Sequence, residues 1–300
     1  MSPSGILLVD KPGGMTSHDV VSRTRKALGT RKVGHAGTLD PMATGLLLLG
    51  VDSSTRLLTY LVGLGKRYRA TIRLGAATDT DDAEGGQIST ADTSGITRDQ
   101  IDAAVAPLTG DIQQVPSTFS AIKVGGRRSY DRARAGEDVV LEPRSVTVSR
   151  FDVLGETRVA SSAQGGECTD LDVMVECSSG TYIRALARDL GTALGVGGHL
   201  TALRREAIGG FEVQDAVQLG AIDAGALRSP AAIAGTLFPT ASLDASQATD
   251  LTHGKRVRLD IADAPVVAAV TADGRLAGLV AVTEGSARVL VNFPADEVLA

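Results

Sequence analysis

The residues best suited to chemistry lie between Gly34 and Gly45, in the run Gly-His-Ala-Gly-Thr-Leu-Asp-Pro-Met-Ala-Thr-Gly. One carboxylate, Asp40, sits there in a turn bounded by three glycines. Glycine admits backbone geometries that other residues resist, and Pro41 fixes its own φ while restricting Asp40. The apolar run Leu46-Leu47-Leu48-Leu49 follows at once and anchors the loop in a core. Rigid loops on buried scaffolds are where catalytic and binding groups tend to sit. Asp40 reads as a fixed nucleophile or, more plainly, as a carboxylate closing an Asx turn. Residue type alone leaves both open.

Arg184 is the second chemical residue. It follows Ser178-Ser179-Gly180-Thr181-Tyr182-Ile183, a strand-to-helix turn, and so falls in the first turn of a helix. The helix dipole disfavours a cation there, and a basic group so placed often answers a nearby carboxylate or phosphate. Asp40 and Arg184 are therefore candidates to pair, which would hold the carboxylate ionised. An ordinary surface arginine is the alternative. The chain holds four tyrosines and five phenylalanines but no tryptophan. Tyr68, Tyr130 and Tyr182 each lie within two residues of an arginine. A ring beside arginine suits a splayed-out base by stacking and backbone pairing. Tyr68 reads equally well as a core aromatic.

These residues need elements to position them. Gly5–Val9 reads as a short buried strand ended by Lys11-Pro12-Gly13-Gly14. A helix starts near the N-capping pair Thr16-Ser17 and ends before Gly29. After the Asp40 loop come an apolar strand through Val51 and a helix over Ser54–Val62. Lys66–Leu74 alternates, with Tyr68, Ala70, Ile72 and Leu74 on one face and Arg67, Arg69, Thr71 and Arg73 on the other. Residues 76–95 read as a polar loop and 97–108 as a helix. Its acidic run Asp79-Thr80-Asp81-Asp82 lacks the closing Glu of an EF-hand and reads as solvated. The stretch from Gln114 to about Arg144 is irregular and basic, and reads as an insertion. Alternation returns at Ser145–Leu154 and Leu171–Cys177, and a helix runs from the Gly-Thr-Tyr turn to about Leu194. Short alternating strands fill 240–300. Half-exposed strands mixed with helices favour a mixed α/β or α+β sheet.

Composition narrows the class. With 300 residues, 43% of them hydrophobic, the chain can bury a sizeable core in two domains, or in one with an appendage. No apolar run approaches the roughly 20 residues that span a bilayer, and the first residues read as a short strand and not as a charged region followed by an apolar signal. Two cysteines and four scattered histidines argue against a disulfide framework or a zinc or iron site, and for a reducing cytoplasm. The net charge of −5 conceals an asymmetry, since residues 1–75 carry +7 and residues 181–205 carry +3. Acid gathers at 79–102 and after 206. A basic face on an acidic protein suits phosphate contact. Walker A, dinucleotide-binding and Gly-x-Ser-x-Gly patterns are absent, as is a carboxylate pair for glycoside hydrolysis.

Taken together, these residues resemble the tRNA pseudouridine synthases that act on the T-loop uridine at tRNA position 55. Gly34–Gly45 is similar to their catalytic motif. Asp10–Ser17, Lys66-Arg67-Tyr68, Ser120–Val124, Ser178–Arg184 and Leu203-Arg204-Arg205 are similar to the family's other segments, in its order. The resemblance covers residues 5–212.

It implies an α+β fold with a mixed, mainly antiparallel sheet: a catalytic domain over 1–238 with an RNA-gripping insertion at about 109–144. A small PUA-like β domain over 239–300 is implied by Leu251–Arg256. It assigns Asp40 as the nucleophile in glycosidic cleavage, after which the base is turned and rejoined through C5. Tyr68 is implied to pack on the flipped base as a candidate proton acceptor, and Arg184 to pair with Asp40. Tyr182 and Leu203 line the pocket, His35 wedges into the RNA stack, and Lys11 and Pro12 buttress the site. Extruding a base costs a few kcal/mol before its glycosidic bond can be reached. Lys123, Arg127, Arg128, Arg132 and Arg134 of the insertion would contact phosphates, positioning without specifying sequence. The expected substrate is the tRNA T-arm, with no cofactor, metal, membrane or obligate protein partner, and a cytoplasmic monomer is expected. Val115–Ser120 departs from the pattern, which usually has a second proline and often a tyrosine there; this touches the insertion rather than the chemistry. Two rivals are a non-catalytic tRNA-folding chaperone on this scaffold and a guide-RNA-dependent synthase acting on ribosomal RNA.

Overall fold

The computed structural model describes residues 4–119, 123–124, 127–128, 141–163 and 165–294. The chain opens with β1 (Gly5–Lys11), α1 (Ser17–Ala27), β2 (Val33–His35), β3 (Thr44–Val51) and α2 (Leu58–Leu61). Then come β4 (Lys66–Leu74), β5 (Ala76–Thr78), β6 (Gln87–Thr90), α3 (Arg98–Val105) and β7 (Gly110–Gln114). Two short strands follow, β8 (Lys123–Val124) and β9 (Arg127–Arg128), then the long pair β10 (Arg144–Ser161) and β11 (Glu167–Cys177). Next are α4 (Ile183–Ala193), β12 (Gly198–Ile208), β13 (Phe211–Glu212), β14 (Val217–Gln218) and α5 (Pro230–Leu237). The last part holds β15 (Thr240–Leu243), α6 (Ala245–Thr252), β16 (Val257–Arg258), β17 (Ala264–Thr271), β18 (Leu276–Thr283) and β19 (Ser286–Asn292). Contacts divide the chain into two units: one holds Met1–Pro41, Gly45–Val62 and Gly210–Ala300, the other Met42–Thr44 and Gly63–Gly209.

In the first unit β1 runs antiparallel to β3 and parallel to β14, and β3 also pairs with β2. β1 and β3 are apolar and buried nearly throughout, the pattern of strands covered on both faces. Leu7, Val9, Leu47 and Leu49 pack with Val20 and Val21 of α1 and with Leu227. α1 opens on a capping box, Thr16 with Asp19, and carries Arg25 and Lys26 in its last turn, both favourable to the helix dipole. The same unit contains a five-stranded sheet in the order β15-β17-β18-β19-β16, closed over Leu243, Leu251, Val267, Val280 and Val282. The expected Ser54–Val62 helix begins instead as a 3-10 turn over Asp52–Leu57. Asp52 has a φ of 53°, and Ser53 and Ser54 lie buried beside Ser4, whose hydroxyl is 2.8 and 2.9 Å from theirs.

The second unit is built on strands in the order β12-β4-β11-β10-β7, each antiparallel to its neighbours. The fold is α+β with mainly antiparallel sheets, as expected. The alternation of β4 is met, for Tyr68, Ala70, Ile72 and Leu74 are buried while Arg69 is exposed. β7 draws residues 110–114 into the sheet, so irregular chain starts after Gln114. The polar loop expected over 76–95 contains a small hairpin of β5 and β6, and its acidic turn is not solvated: Asp81 and Asp82 are buried. Helix α4 lies against β12 at glycine contact distance. A Cβ on Gly191 would fall 2.1 Å from the Gly197 carbonyl carbon, and one on Gly198 would fall 2.5 Å from the Ala187 oxygen.

Lys66 opens β4 with its side chain buried, donating to the Leu64 carbonyl at 2.6 Å. Burial, then the charge of Arg205, lower its pKa from 10.5 to about 8. Between those values the folded protein binds fewer protons than the unfolded chain, so stability rises with pH from about 8 and this contribution is lost below it. Burial pushes the neighbouring Cys177 thiol up to about 11, which acts oppositely but only above the ordinary thiol value of 9.0. Between about pH 7.5 and 9 the wild type should therefore gain about 1 kcal/mol relative to Lys66→Met. Urea midpoints at the two pH values measure it. Parallel curves for the two proteins would mean that Lys66 stays charged.

Candidate active site

Asp40 is half-buried, and the residues on either side of it are clamped. On one side, the Leu39 amide donates to Ser17 Oγ at 2.8 Å, and the same hydroxyl lies 3.2 Å from the Leu39 carbonyl, to which it donates. On the other, the Pro41 carbonyl accepts the Gly14 amide at 2.9 Å and the Lys11 ammonium at 3.2 Å. Lys11 is fully buried at the end of β1 and also donates to the carbonyls of Pro12, at 2.9 Å, and Met15, at 2.8 Å. An ammonium has three donors, and these three carbonyls lie within their reach. Leu39 and Ala43 are buried and pin the loop from within. Gly37 and Gly45 have φ values of 95° and 101°, which a side chain resists. Gly34 instead provides space, since a Cβ there would meet Leu58 Cδ1 at 3.0 Å.

His35 ends β2 half-buried, paired in register with Leu49, and Pro12 is exposed at the mouth of the Lys11 turn. Asp40, His35, Lys11 and Pro12 thus belong to the first unit.

Tyr68, Tyr182, Arg184 and Leu203 belong to the second. Tyr68 is 8% exposed and stands opposite Val175 of β11 and Arg205 of β12, itself 1% exposed. Leu203 is opposite Ala70, one step along the same buried face. Within this second unit, Thr44 Oγ1 donates to the Leu203 carbonyl at 3.5 Å and accepts from Arg204 at 3.4 Å.

Arg184 is the second residue of α4 and only 4% exposed. Tyr182, the N-cap, supplies no side-chain cap, and Gln114 of β7 serves it instead. The Tyr182 amide donates to Gln114 Oε1 at 2.9 Å, and Gln114 Nε2 donates to the Tyr182 carbonyl at 3.0 Å. Arg184 Nη1 lies 3.4 Å from Asp82 Oδ2. Nη1 also donates to the Thr80 carbonyl and Nη2 to that of Phe119, both at 2.8 Å. Asp82 is held in turn at Oδ1 by the Thr80 hydroxyl at 2.6 Å and the Glu84 amide at 3.0 Å. Gly85 makes that turn possible, because a Cβ there would fall 2.3 Å from Thr80 Oγ1 and 2.4 Å from Asp79 Oδ1.

Sequence reasoning missed Asp81, Asp82, Arg188 and Gln114. A signal was present: threonines interleaved with acids and followed by Gly85-Gly86 describe a tight turn that binds its own carboxylates. Lys123 and Arg128 pair across β8 and β9, next to Val124 and Arg127, while Arg132 and Arg134 lie outside the described residues. Among the described residues no group of three His, Cys, Asp or Glu could hold a metal ion.

Comparison with known proteins bears on this geometry. A family model described as TruB family pseudouridylate synthase (N terminal domain) matches residues 25–183. Models for a tRNA pseudouridylate synthase B C-terminal domain and for tRNA pseudouridine synthase II, C terminal, match 184–238 and 238–294. A protein of Leifsonia xyli subsp. xyli named tRNA pseudouridine synthase B is 55% identical, covering 99% of both chains. A protein of the same name from Nocardia farcinica is 57% identical over 90% of this chain and 87% of its own. Among solved structures, an H/ACA RNP bound to a substrate RNA containing 2'-deoxyuridine is similar with a TM-score of 0.69 and 25% identity, covering 97% of this chain and 86% of the other.

Proposed function

The chain belongs to the TruB family of pseudouridylate synthases, and from that premise we propose that its target is the T-loop uridine at position 55 of tRNA. The reaction is the isomerisation of uridine to pseudouridine in tRNA. In our reading the uridine is flipped out, with His35 filling the space it leaves, and the Asp40 carboxylate attacks the target nucleotide. The N1–C1′ bond breaks, the freed base turns, a C5–C1′ bond forms as the bond to Asp40 is released, and the proton lost from C5 is balanced by one gained at N1. Nothing is oxidised or reduced. Tyr68 packs against the base and is the candidate to accept a proton, Tyr182 and Leu203 line the pocket, and Arg184 pairs with Asp40. The observation that carries the reading is the clamping of both neighbours of Asp40, which presents one carboxylate with little freedom to move. Such preorganisation is what a nucleophile in a displacement requires.

The remaining elements fit an RNA substrate. Residues 239–300 read as a PUA-like RNA-binding domain, residues 1–238 as the catalytic domain, and the basic insertion as its grip on phosphates. We infer a cytoplasmic monomer without an obligate protein partner, in keeping with two free buried cysteines. No helix among the described residues is long and apolar enough to cross a membrane. The guide-RNA-dependent alternative is disfavoured by identity, which is 55% to the Leifsonia tRNA pseudouridine synthase B and 25% to the H/ACA particle's chain.

Incubation with tRNA tritiated at uridine C5 tests the reading. Wild-type protein alone should release tritium from position 55 and leave pseudouridine there. Binding without release would support the chaperone reading, and release that requires added guide RNA would support the other rival. Substituting Arg128 and Arg132 with Gln should weaken tRNA binding and flatten its salt dependence by about two units of slope. An unchanged slope would place the RNA elsewhere.

A further inference from the structure

Arg184 and Arg188 lie one helical turn apart on α4, and they grip the same two segments in the same way. Arg184 holds the Asp82 carboxylate and the Phe119 carbonyl, at 3.4 and 2.8 Å. Arg188 holds the Asp81 carboxylate at 3.2 Å through Nη1 and the Val115 carbonyl at 2.7 Å through Nη2. Residues at i and i+4 share a helix face, so the two arginines form a double clasp on adjacent aspartates and on both ends of residues 115–119. Asp189 steadies the second arginine, accepting from its Nε at 2.9 Å.

Asp81 is the centre of the outer clasp. Its Oδ2 accepts Ser117 Oγ at 2.5 Å as well as Arg188, and Ser117 is fully buried. The Asp81 backbone is left-handed, with φ 61°, and is held there by its amide on Thr78, at 3.3 Å, and its carbonyl on the Leu200 amide, at 3.0 Å. A non-glycine residue persists in that region when its surroundings over-determine it. Burial pushes the Asp81 carboxyl up, opposed by Ser117 and then by Arg188. With Arg188 28% exposed and Asp81 11%, the ion pair adds little net stability, which leaves fixing of position as its physical effect.

Resting on the function proposed above, we propose that Asp81, Ser117 and Arg188 are positioning residues, a latch that fixes residues 115–119 so that the Phe119 carbonyl holds Arg184 in its working orientation. None of the three touches the reacting atoms. Asp82 and the Thr80 carbonyl fix one side of the Arg184 guanidinium, and the latch fixes the other.

Asp81→Asn and Ser117→Ala test this in single-turnover tritium release at saturating tRNA, beside tRNA Kd and thermal unfolding. Each should slow the step by about tenfold or more, as small misplacements of catalytic groups do, with Kd changed by less than about twofold. The double variant should be no slower than Asp81→Asn alone, since both cut one contact. A full rate in Asp81→Asn, additive losses, or loss that follows Kd or unfolding alone would overturn the latch. Hydrogen exchange on the free protein separates this from the function itself. Asp81→Asn should speed exchange of the amides at 117–119 and at Tyr182–Arg184, and unchanged exchange overturns the latch whether or not the protein turns over.

Discussion

Asp40→Asn protein should bind tRNA as the wild type does and release no tritium from it. The substitution keeps the shape of the side chain and removes the anionic oxygen that, in our reading, forms the bond. Rate losses for removal of a covalent nucleophile exceed about 10,000-fold. The seat should survive, because the backbones of Leu39 and Pro41 on either side are clamped through Ser17, Gly14 and Lys11. Binding should change by less than about threefold, since phosphate contacts supply most of it. Kd from filter binding and single-turnover release, read on one preparation, decide the matter. Appreciable turnover by the asparagine variant would remove Asp40 from the nucleophile's role.

The second large effect is expected at a residue that touches neither RNA nor the loop of Asp40 in our reading. Asp82→Ala withdraws the carboxylate from an arginine that is 4% exposed, and Asp82 itself is 5% exposed. Breaking a buried pair from one side costs about 3–5 kcal/mol, because the remaining charge is left in a poor medium. Arg184 keeps its bonds to Thr80 and Phe119, so the lower end of that range, about 3 kcal/mol, is expected. Activity should fall by about a hundredfold or more as the guanidinium swings from its place. Asp82→Asn retains acceptors for the Thr80 hydroxyl and the Glu84 amide and should lose less stability while losing comparable activity. Urea unfolding and single-turnover rates give both readings. Wild-type stability and rate in Asp82→Ala would mean that the Asp82 carboxylate is not needed to hold Arg184.

What could be foreseen from the sequence was local. The capping box at Thr16 and Asp19, the alternation of β4 and the anchored turn around Asp40 each depend on residues within about a dozen positions. Periodicity and turn chemistry report such spans well. The burial of Asp81 and Asp82 could not be read this way. Their partners Arg184 and Arg188 are more than 100 residues ahead, and an acidic turn looks the same in sequence whether solvated or folded under a distant helix. Gln114 was hidden for the same reason, being one of two glutamines in an ordinary strand until Tyr182 arrives to use its amide. The 3-10 start at Asp52 was missed because its buried serines are satisfied by Ser4, 49 and 50 residues earlier.

That contrast in span also orders how the protein comes together. The seat of Asp40 is closed by a chain loop of 30 residues, from Lys11 to Pro41, whereas the Arg184 clasp needs a loop of 104, from Thr80. Closing the longer loop costs about 1 kcal/mol more in chain entropy. During synthesis from the N-terminus the short loop is available first, and domains fold as their residues emerge. The seat of the carboxylate, in the first unit, can thus close before Arg184 and Arg188 of the second unit have been synthesised.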